Sequence, residues 1–358
     1  SLSVSSLSAK VIVGVVLMLG ACVLIDTAGV DDSSALGEQR REQTLRAAER
    51  CDIAVVVCGA TEDYVLEKSL LEGFVGRKVP IVVVLGKSDM LISPEKRAEQ
   101  VERELGAKPL LVSATNRSGV AELIDSLVRL RGDAKTTDSI VGSLVESGDR
   151  VVLVMPQDAS APKGRLILPQ VQTLRELLDR HCTPICCQPE ELEHTLAGLT
   201  ELPKLVITDS QVFGYVAERV PEGVALTSFS VLLACNKGDR EAFMQGARVI
   251  DSLTERSRVL IAEACSHAPQ TEDIGRVKLP RMLRQRVGEG LQVDVVGGAD
   301  FPADLTPYDL VIHCGACMFT RSHVLSRLAR AQSACVPMTN YGFAIAHLQG
   351  ILGRVSLP

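Results

Sequence analysis

The stretch Val23-Leu24-Ile25-Asp26-Thr27-Ala28-Gly29 decides how the first third of the chain is interpreted. Its aliphatic residues predict a buried strand, and a carboxylate and a glycine follow at the carboxyl end of that strand. Strand ends of this kind face the ligand crevice of a parallel sheet. Here a carboxylate can hold Mg²⁺ through water, and glycine lets a backbone N–H approach a γ-phosphate. Asp26 and Gly29 are therefore candidate nucleotide-binding residues, with a chance match in a surface turn as the alternative.

Further aliphatic runs follow this stretch and alternate with amphipathic helical segments. The predicted strands are Ile53–Val57, Ile81–Leu85 and Leu110–Val112, and the predicted helices lie at 40–51, 62–77, 94–105 and 120–131. Alternation of this kind predicts a parallel sheet covered by helices on both faces. We therefore expect an α/β fold with a parallel sheet in residues 1–131.

The rest of the chain predicts two more α/β domains. Residues 132–148 are polar and rich in helix breakers, which is typical of a linker. A second domain is predicted at 149–254, with strands that include 205–208 and 225–234. A third is predicted at 255–358. Each is expected to contain a mainly parallel sheet with flanking helices.

Composition and charge limit the classes of function. The chain has 358 residues, 46% of them hydrophobic and only 3% aromatic, so two or three aliphatic cores are expected. A net charge of −6 argues against nucleic acid as a partner. The eleven cysteines do not form the pattern of a small secreted domain, which favours a reducing, cytoplasmic location. The apolar run 11–25 is shorter than the roughly 18 residues of a membrane span and better fits two buried strands.

Two motifs predict a guanine pocket. Gly86-Lys87-Ser88-Asp89 and Ser113-Ala114-Thr115 each follow a predicted strand. They are similar to the base-binding signatures of small GTPases, in which Asp89 would accept hydrogen bonds from guanine and the Ala114 N–H would donate to its O6. Gly86 replaces the usual asparagine, so one supporting polar contact is missing.

A phosphate loop of the pattern Gly-x-x-x-x-Gly-Lys-[Ser/Thr] is absent from the sequence. Without it, nucleotide binding should be weak. The serine-rich start at residues 1–8 suggests that the loop lies outside this sequence, and a G domain that lacks the loop is the alternative. A second motif, Asn236-Lys237-Gly238-Asp239, matches the guanine pattern better but is far from the phosphate elements, so we interpret it as a turn before a helix.

Cysteine and histidine residues cluster after two predicted strands of the third domain. They are Cys265, His267, His313, Cys314 and Cys317. Neighbouring strand ends can bring these groups together, and a Cys-x-x-Cys turn lets two thiolates reach one metal centre. A Cys₃His zinc site and an iron–sulfur cluster with an open position both fit the spacing. A thioredoxin-type redox pair is a third possibility, although it leaves Cys265 and both histidines unused.

The other cysteines and histidines are expected to be structural. The cysteines expected to act as small core residues are Cys22, Cys51, Cys58, Cys186 and Cys187. No partner motif accompanies Cys182, Cys235 or Cys335, although Cys335 is a reserve ligand. The four remaining histidines, at 181, 194, 323 and 347, are expected at the surface or at helix ends.

Taken together, the motifs resemble those of the HydF family, the GTPases of [FeFe]-hydrogenase maturation. The Cys-x-His and His-Cys-x-x-Cys pair at 265–267 and 313–317 is the family's cluster signature. Other similar segments are 161–170, 226–230, 273–278, 308–312 and 336–342. The resemblance covers nearly the whole chain apart from the phosphate loop.

This resemblance implies a GTPase domain, a dimerisation domain and a cluster-binding domain, and it implies a homodimer. It also implies a [4Fe–4S] cluster on Cys265, Cys314 and Cys317 with an exchangeable fourth site, and His267 and His313 as ligands or nearby donors. The protein would receive a di-iron precursor from radical-SAM maturation enzymes and deliver it to apo-[FeFe]-hydrogenase. GTP with Mg²⁺ would regulate these contacts, and whether GTP is hydrolysed stays open.

Two other classes of protein compete with this interpretation. One is a zinc- or iron–sulfur-dependent enzyme, but no carboxylate at a suitable spacing is evident as a general base. The other is a translation or RNA-modification GTPase, which would need a basic surface that the net acidity disfavours.

Overall fold

The computed structural model of the chain describes residues 24–26, 48, 51–59, 64–77, 79–134, 139–157, 166–264, 274–298, 300–317 and 319–358. The chain separates into two compact units, Ser1–Asp138 and Ser139–Pro358. Within the described ranges, every helix is too short or too polar to serve as a membrane span.

Three sheets organise the described residues, and all their strand pairs are parallel, as predicted. The strands are β1 (Ala54–Cys58), β2 (Ile81–Leu85), β3 (Leu110–Leu111), β4 (Arg150–Val154), β5 (Thr183–Cys187), β6 (Leu205–Thr208), β7 (Ala225–Ser228), β8 (Arg258–Ala262), β9 (Gln292–Val296), β10 (Leu310–His313) and β11 (Met338–Asn340).

Helices flank these sheets. They are α1 (Val65–Gly76), α2 (Pro94–Leu105), α3 (Val120–Ala134), α4 (Leu168–Asp179), α5 (Leu192–Ala197), α6 (Phe213–Ala217), α7 (Phe229–Lys237), α8 (Arg240–Arg248), α9 (Leu279–Val287), α10 (Arg321–Ser333) and α11 (Tyr341–Leu348). One π-helical turn, Ile274–Lys278, leads directly into α9.

The first unit contains the sheet β1-β2-β3. Its core is mainly aliphatic, with Tyr64 and Phe74 as buried aromatic members. The strand β2 is a continuous apolar run that is buried along most of its length. The predicted strand at 23–25 is wrong for its described residues, since Leu24 and Ile25 are 56% and 45% exposed and belong to no strand. A strand gains stability from hydrogen-bonded neighbours, and no described strand pairs with these residues.

Both sheets of the second unit follow the same path. Their strand orders are β5-β4-β6-β7 and β9-β8-β10-β11. In each sheet the first strand in the chain is an inner strand, the second lies beside it at one edge, and the third and fourth lie on its other side. The reversal produces a crevice at the carboxyl ends of the two inner strands, where α/β proteins bind ligands. In the last sheet these inner strands are β8 and β10.

One predicted strand, 225–234, is wrong in its second half. The strand β7 ends at Ser228, whose side chain accepts a hydrogen bond from the Val231 N–H and caps α7. The α7 helix is apolar on several faces because it packs on both sheets of the unit. Val231 and Ala234 contact the last sheet's core, whereas Phe229 and Leu232 contact the core of the β4 sheet. Periodicity alone cannot distinguish such a buried helix from a strand.

The ends of the second unit also pack into it. In the segment predicted as a linker, Val141 and Val145 are buried in the core of the β4 sheet. At the other end, the Ser356 N–H donates to the Leu226 carbonyl at 2.7 Å and adds the last residues to the edge of β7. Residues 139–148 and the last residues of the chain therefore both pack as part of the second unit.

The cysteines only partly follow their predicted placement. Cys58 and Cys187 are buried as expected, and burial raises the pKa of Cys58 to about 11. Cys186 is exposed, which contradicts the prediction, because β5 is an edge strand and alternate residues face outward. Cys51 is half-buried, and Cys22 lies outside the described residues.

Candidate functional site

The described part of the predicted metal site, His313, Cys314 and Cys317, lies at the carboxyl end of β10, the neighbour of β8. The Cys314 N–H donates to the Ala262 carbonyl at 3.0 Å, so the residues that leave β10 stay beside those that leave β8. Cys314, Gly315, Ala316 and Cys317 follow β10 directly; we call residues 314–319 the cysteine loop. Cys265 and His267 lie outside the described residues.

The sulfur of Cys314 is surrounded by backbone donors. It accepts the Ala264 N–H at 3.0 Å and the Ala316 N–H at 3.4 Å. Ala316 provides its amide from a left-handed conformation, φ = 51°, which costs a non-glycine residue about 1–2 kcal/mol. Two amides aimed at one sulfur stabilise negative charge on it, which suits a thiolate that binds metal.

His313 is buried beneath the cysteine loop and has protein partners at both ring nitrogens. Its Nε2 lies 2.9 Å from Nη1 of Arg327, and its Nδ1 lies 2.9 Å from the Cys314 carbonyl oxygen. Because Arg327 can only donate, Nε2 accepts and Nδ1–H donates. Burial and the Arg327 charge lower the pKa of His313 to about 3, so the ring is neutral at physiological pH. A direct ligand role for His313 would require one of these contacts to break.

Arg327 is the centre of a packed group behind His313. It is only 3% exposed, and its Nη2 donates to the Gly298 carbonyl at 2.6 Å. Its guanidinium lies over the rings of Phe301 and Phe319, with 4.7 and 4.6 Å to the ring centroids. Phe319 also stacks on His323 at 3.8 Å. His323 lies in the first turn of α10, where a helix-end position was one of the two expectations, and it is buried rather than at the surface.

An ion pair joins the residues on either side of the segment that contains Cys265. Arg276 donates to Oε2 of Glu263 from Nε at 3.1 Å and from Nη2 at 3.0 Å. Glu263 is 7% exposed and directly precedes Ala264. A Cβ at Gly275 would overlap the Tyr341 hydroxyl, so glycine is needed for this close approach. The pair joins the end of β8 to the π-helical turn that precedes α9.

The two guanine motifs meet at the carboxyl ends of β2 and β3. The Ser88 N–H donates to the Val112 carbonyl at 3.2 Å, which joins the two loops directly. Lys87 has a left-handed conformation, and Lys87, Asp89 and Ala114 are exposed, whereas Ser113 is fully buried. The two loops predicted to bind the base are therefore joined by a backbone hydrogen bond.

The phosphate end of the predicted nucleotide site is only partly described. Asp26 is exposed, and Gly29 lies outside the described residues.

Two protein-family models match the chain and together cover most of the second unit. The Hydrogen maturase F dimerization domain matches residues 140–238, and the Hydrogen maturase F tetramerization domain matches residues 241–358. The chain belongs to the hydrogenase maturase HydF family. The resemblance inferred from the cysteine signature is thereby confirmed.

The chain is also similar to two GTPases over about a third of its length. The chain is 29% identical over 136 residues to GTPase Der from Campylobacter hominis, which is 36% of this chain and 29% of that protein. It is 34% identical over 121 residues to GTPase Era from Carboxydothermus hydrogenoformans, which is 31% of this chain and 39% of that protein. The chain thus covers well under half the length of either relative. These similarities support the predicted P-loop GTPase-like domain.

The described donor set of this HydF chain fits an iron–sulfur cluster in part. Cys314 has the amide donors of a metal-bound thiolate, and Cys317 follows at Cys-x-x-Cys spacing, half-buried against the core of the β4 sheet. Among the residues that the structure describes, no group of three or more His, Cys, Asp or Glu side chains is arranged to hold a metal ion. The third predicted sulfur, that of Cys265, is outside that set.

Several residues that contact the cysteine loop or its neighbours are not evident from the sequence. The Asn-Lys-x-Asp string precedes a helix as predicted, but only Gly238 and Asp239 lie between the helices, because Asn236 and Lys237 end α7. The Lys237 ammonium contacts the cysteine loop. Asn340 caps α11 and donates to the Ser230 carbonyl at 3.3 Å. Arg327 is one of several arginines along α10. None of these residues is near Cys314 in the sequence, so no local pattern could reveal them.

Proposed function

We propose that this chain is a GTP-binding scaffold of [FeFe]-hydrogenase maturation. It carries a [4Fe–4S] cluster on Cys265, Cys314 and Cys317, accepts a di-iron precursor from radical-SAM enzymes, and transfers it to apo-[FeFe]-hydrogenase in the cytoplasm. The observation that best supports this proposal is the pair of amide donors on the Cys314 sulfur, at the crevice between β8 and β10. The family match over both halves of the second unit favours this role over an RNA-modification GTPase.

The protein's own residues provide three sulfur ligands and no fourth cysteine in the same motif. When bound, the cluster supplies an iron whose remaining position can exchange ligands. The Cys314 sulfur is oriented by the amides of Ala264 and Ala316, and Ala264 directly precedes Cys265 in the chain. We assign His313 as a residue that holds the Cys314 carbonyl, with His267 as the remaining candidate for a nearby donor.

The first unit would bind GTP. Asp89 would accept from the guanine, Lys87 would pack beside the base, and the loop of Ser113 and Ala114 would meet O6, while Asp26 and Gly29 would serve Mg²⁺ and the γ-phosphate. The direct contact of the two base-binding loops supports this arrangement. Nucleotide would then regulate partner contacts.

Self-association is part of the proposal. The matched family models are described as dimerization and tetramerization domains, so a homodimer is the expected minimum and a tetramer is expected when the last segment also associates.

Anaerobic reconstitution with iron and sulfide tests the cluster site. We expect about four iron atoms per chain, the content of one [4Fe–4S] cluster, and an electron paramagnetic resonance signal after reduction. Cys314→Ser should lose most of this iron and most hydrogenase activation. Cys186→Ser is the matched control, because Cys186 is exposed on β5 in the other sheet, and it should keep both.

Two results would contradict the assignment. One is a Cys314→Ser protein that binds as much iron as the Cys186→Ser protein and activates hydrogenase normally. The other is zinc without sulfide as the metal that copurifies and reconstitutes, which would favour a zinc site instead.

A further inference from the structure

Lys237 ends α7, and its side chain contacts the cysteine loop. Its Nζ donates to the carbonyl oxygens of Phe319 at 2.8 Å, Ala316 at 2.9 Å and Cys317 at 3.1 Å. An ammonium group carries three N–H donors, so it can donate to all three carbonyls. All three acceptors come from a single loop about 80 residues further along the chain.

These contacts differ from the usual role of a lysine at a helix end. Such a lysine interacts with the last carbonyls of its own helix. Here the end of α7 is completed by the Gly238 N–H, which donates to the Ala234 carbonyl at 2.8 Å. The lysine side chain is half-buried and directed at the cysteine loop instead.

Other contacts place the cysteine loop along the side of α7. The Asn236 carbonyl accepts from Nη1 of Arg321, just after the loop. Gly315 lies close to the Ser230 side chain near the start of the helix. Three carbonyl oxygens that converge on one point repel each other, so the conformation that turns them inward depends on a positive partner.

We propose that Lys237 is a positioning residue for the metal-binding loop. Its ammonium holds the carbonyls of residues 316, 317 and 319 and thereby fixes Cys317 relative to Cys314. The inference rests on the proposed function only in that the loop binds a cluster. The Lys237 contact also joins the two matched family segments, because α7 lies in the dimerization segment and the cysteine loop lies in the tetramerization segment.

The test compares Lys237→Met with Lys237→Arg and Lys204→Met. Methionine keeps length without charge, arginine keeps charge and donors, and Lys204 is an exposed lysine elsewhere in the same unit. In the apoprotein, hydrogen exchange of a peptide from the cysteine loop should be about tenfold faster in Lys237→Met, because the loop loses three hydrogen bonds from a charged donor and opens more readily. In the reconstituted protein, iron release to bathophenanthroline should accelerate by a similar factor. Lys237→Arg should stay within about threefold of the natural protein, as should Lys204→Met.

The loss of the nearby positive charge should also shift the reduction potential of the Lys237→Met cluster to a more negative value, because a cation favours the more negative reduced state. Equal exchange rates, iron release and potential in Lys237→Met and Lys204→Met would overturn the proposal. So would faster exchange spread evenly over the second unit with a matching fall in the apoprotein's melting temperature, since Lys237 would then act through general packing. If the natural protein binds no cluster, the proposed function fails, while the exchange measurement still tests the loop contact.

Discussion

The cysteine loop of the second unit and the guanine loops of the first unit both follow parallel strands, but they are held in different ways. The cysteine loop contacts side chains from the helices around it, among them Lys237 of α7 and Arg327 of α10. The guanine loops are fixed mainly by their own backbone, through the Ser88 and Val112 contact and a buried Ser113. The first arrangement is sensitive to remote side chains, and the second is sensitive to backbone conformation.

The largest expected effect is on the side-chain support of the cysteine loop. Arg327→Met should destabilise the second unit by about 4 kcal/mol, because it leaves Nε2 of His313 and the Gly298 carbonyl without their donor and removes two ring contacts. The free energy of opening, measured by hydrogen exchange of the β10 amides, reports this loss.

Exposed Arg175, which pairs with Asp179 on the surface of α4, provides the control. Arg175→Met should leave the β10 exchange rates nearly unchanged. A similar, small effect of both substitutions would mean that side chains do not hold the loop.

The next effect concerns the backbone of the guanine loops. Gly119 and Gly106 have the same φ of 72°, but a Cβ at Gly119 would overlap the Leu111 carbonyl, whereas nothing lies within 4 Å at Gly106. We therefore expect Gly119→Ala to cost about 3 kcal/mol and Gly106→Ala about 1 kcal/mol. Urea unfolding followed by circular dichroism measures both values. Equal losses would show that the loop backbone relaxes easily, which would weaken the contrast with the cysteine loop.

The smallest effects distinguish the two guanine-like motifs. Asp239 caps α8 by accepting the Ala242 N–H at 3.0 Å, so Asp239→Ala should cost about 1 kcal/mol of stability and leave nucleotide affinity unchanged. Exposed Asp89 should show the reverse, with about tenfold weaker binding of a fluorescent GTP analogue in Asp89→Ala and little change in stability. If Asp239→Ala instead weakened nucleotide binding and Asp89→Ala did not, the guanine site would lie in the second unit and the prediction would be wrong.

The sequence by itself determined the parallel α/β architecture, the family and most strand positions. Aliphatic runs such as Ile81–Leu85 form strands of a parallel sheet because helices cover both faces of such a sheet, so the side chains on both faces of a strand are apolar. It also determined that Cys314 follows a strand end. The strand predicted at 225–234 failed because an apolar run buried between two sheets has no periodicity that identifies a helix.

Only the tertiary structure decided which side chains support the cysteine loop and whether His313 is accessible. Lys237, Arg327 and Asn340 reach the loop or its neighbours through packing of α7, α10 and β11 around the same crevice. The neutral state of His313, which ends β10, likewise depends on burial and on the arginine at 327 in α10. Local sequence fixes backbone preferences and periodicity, whereas contacts between distant segments depend on how the elements pack, which no local pattern records.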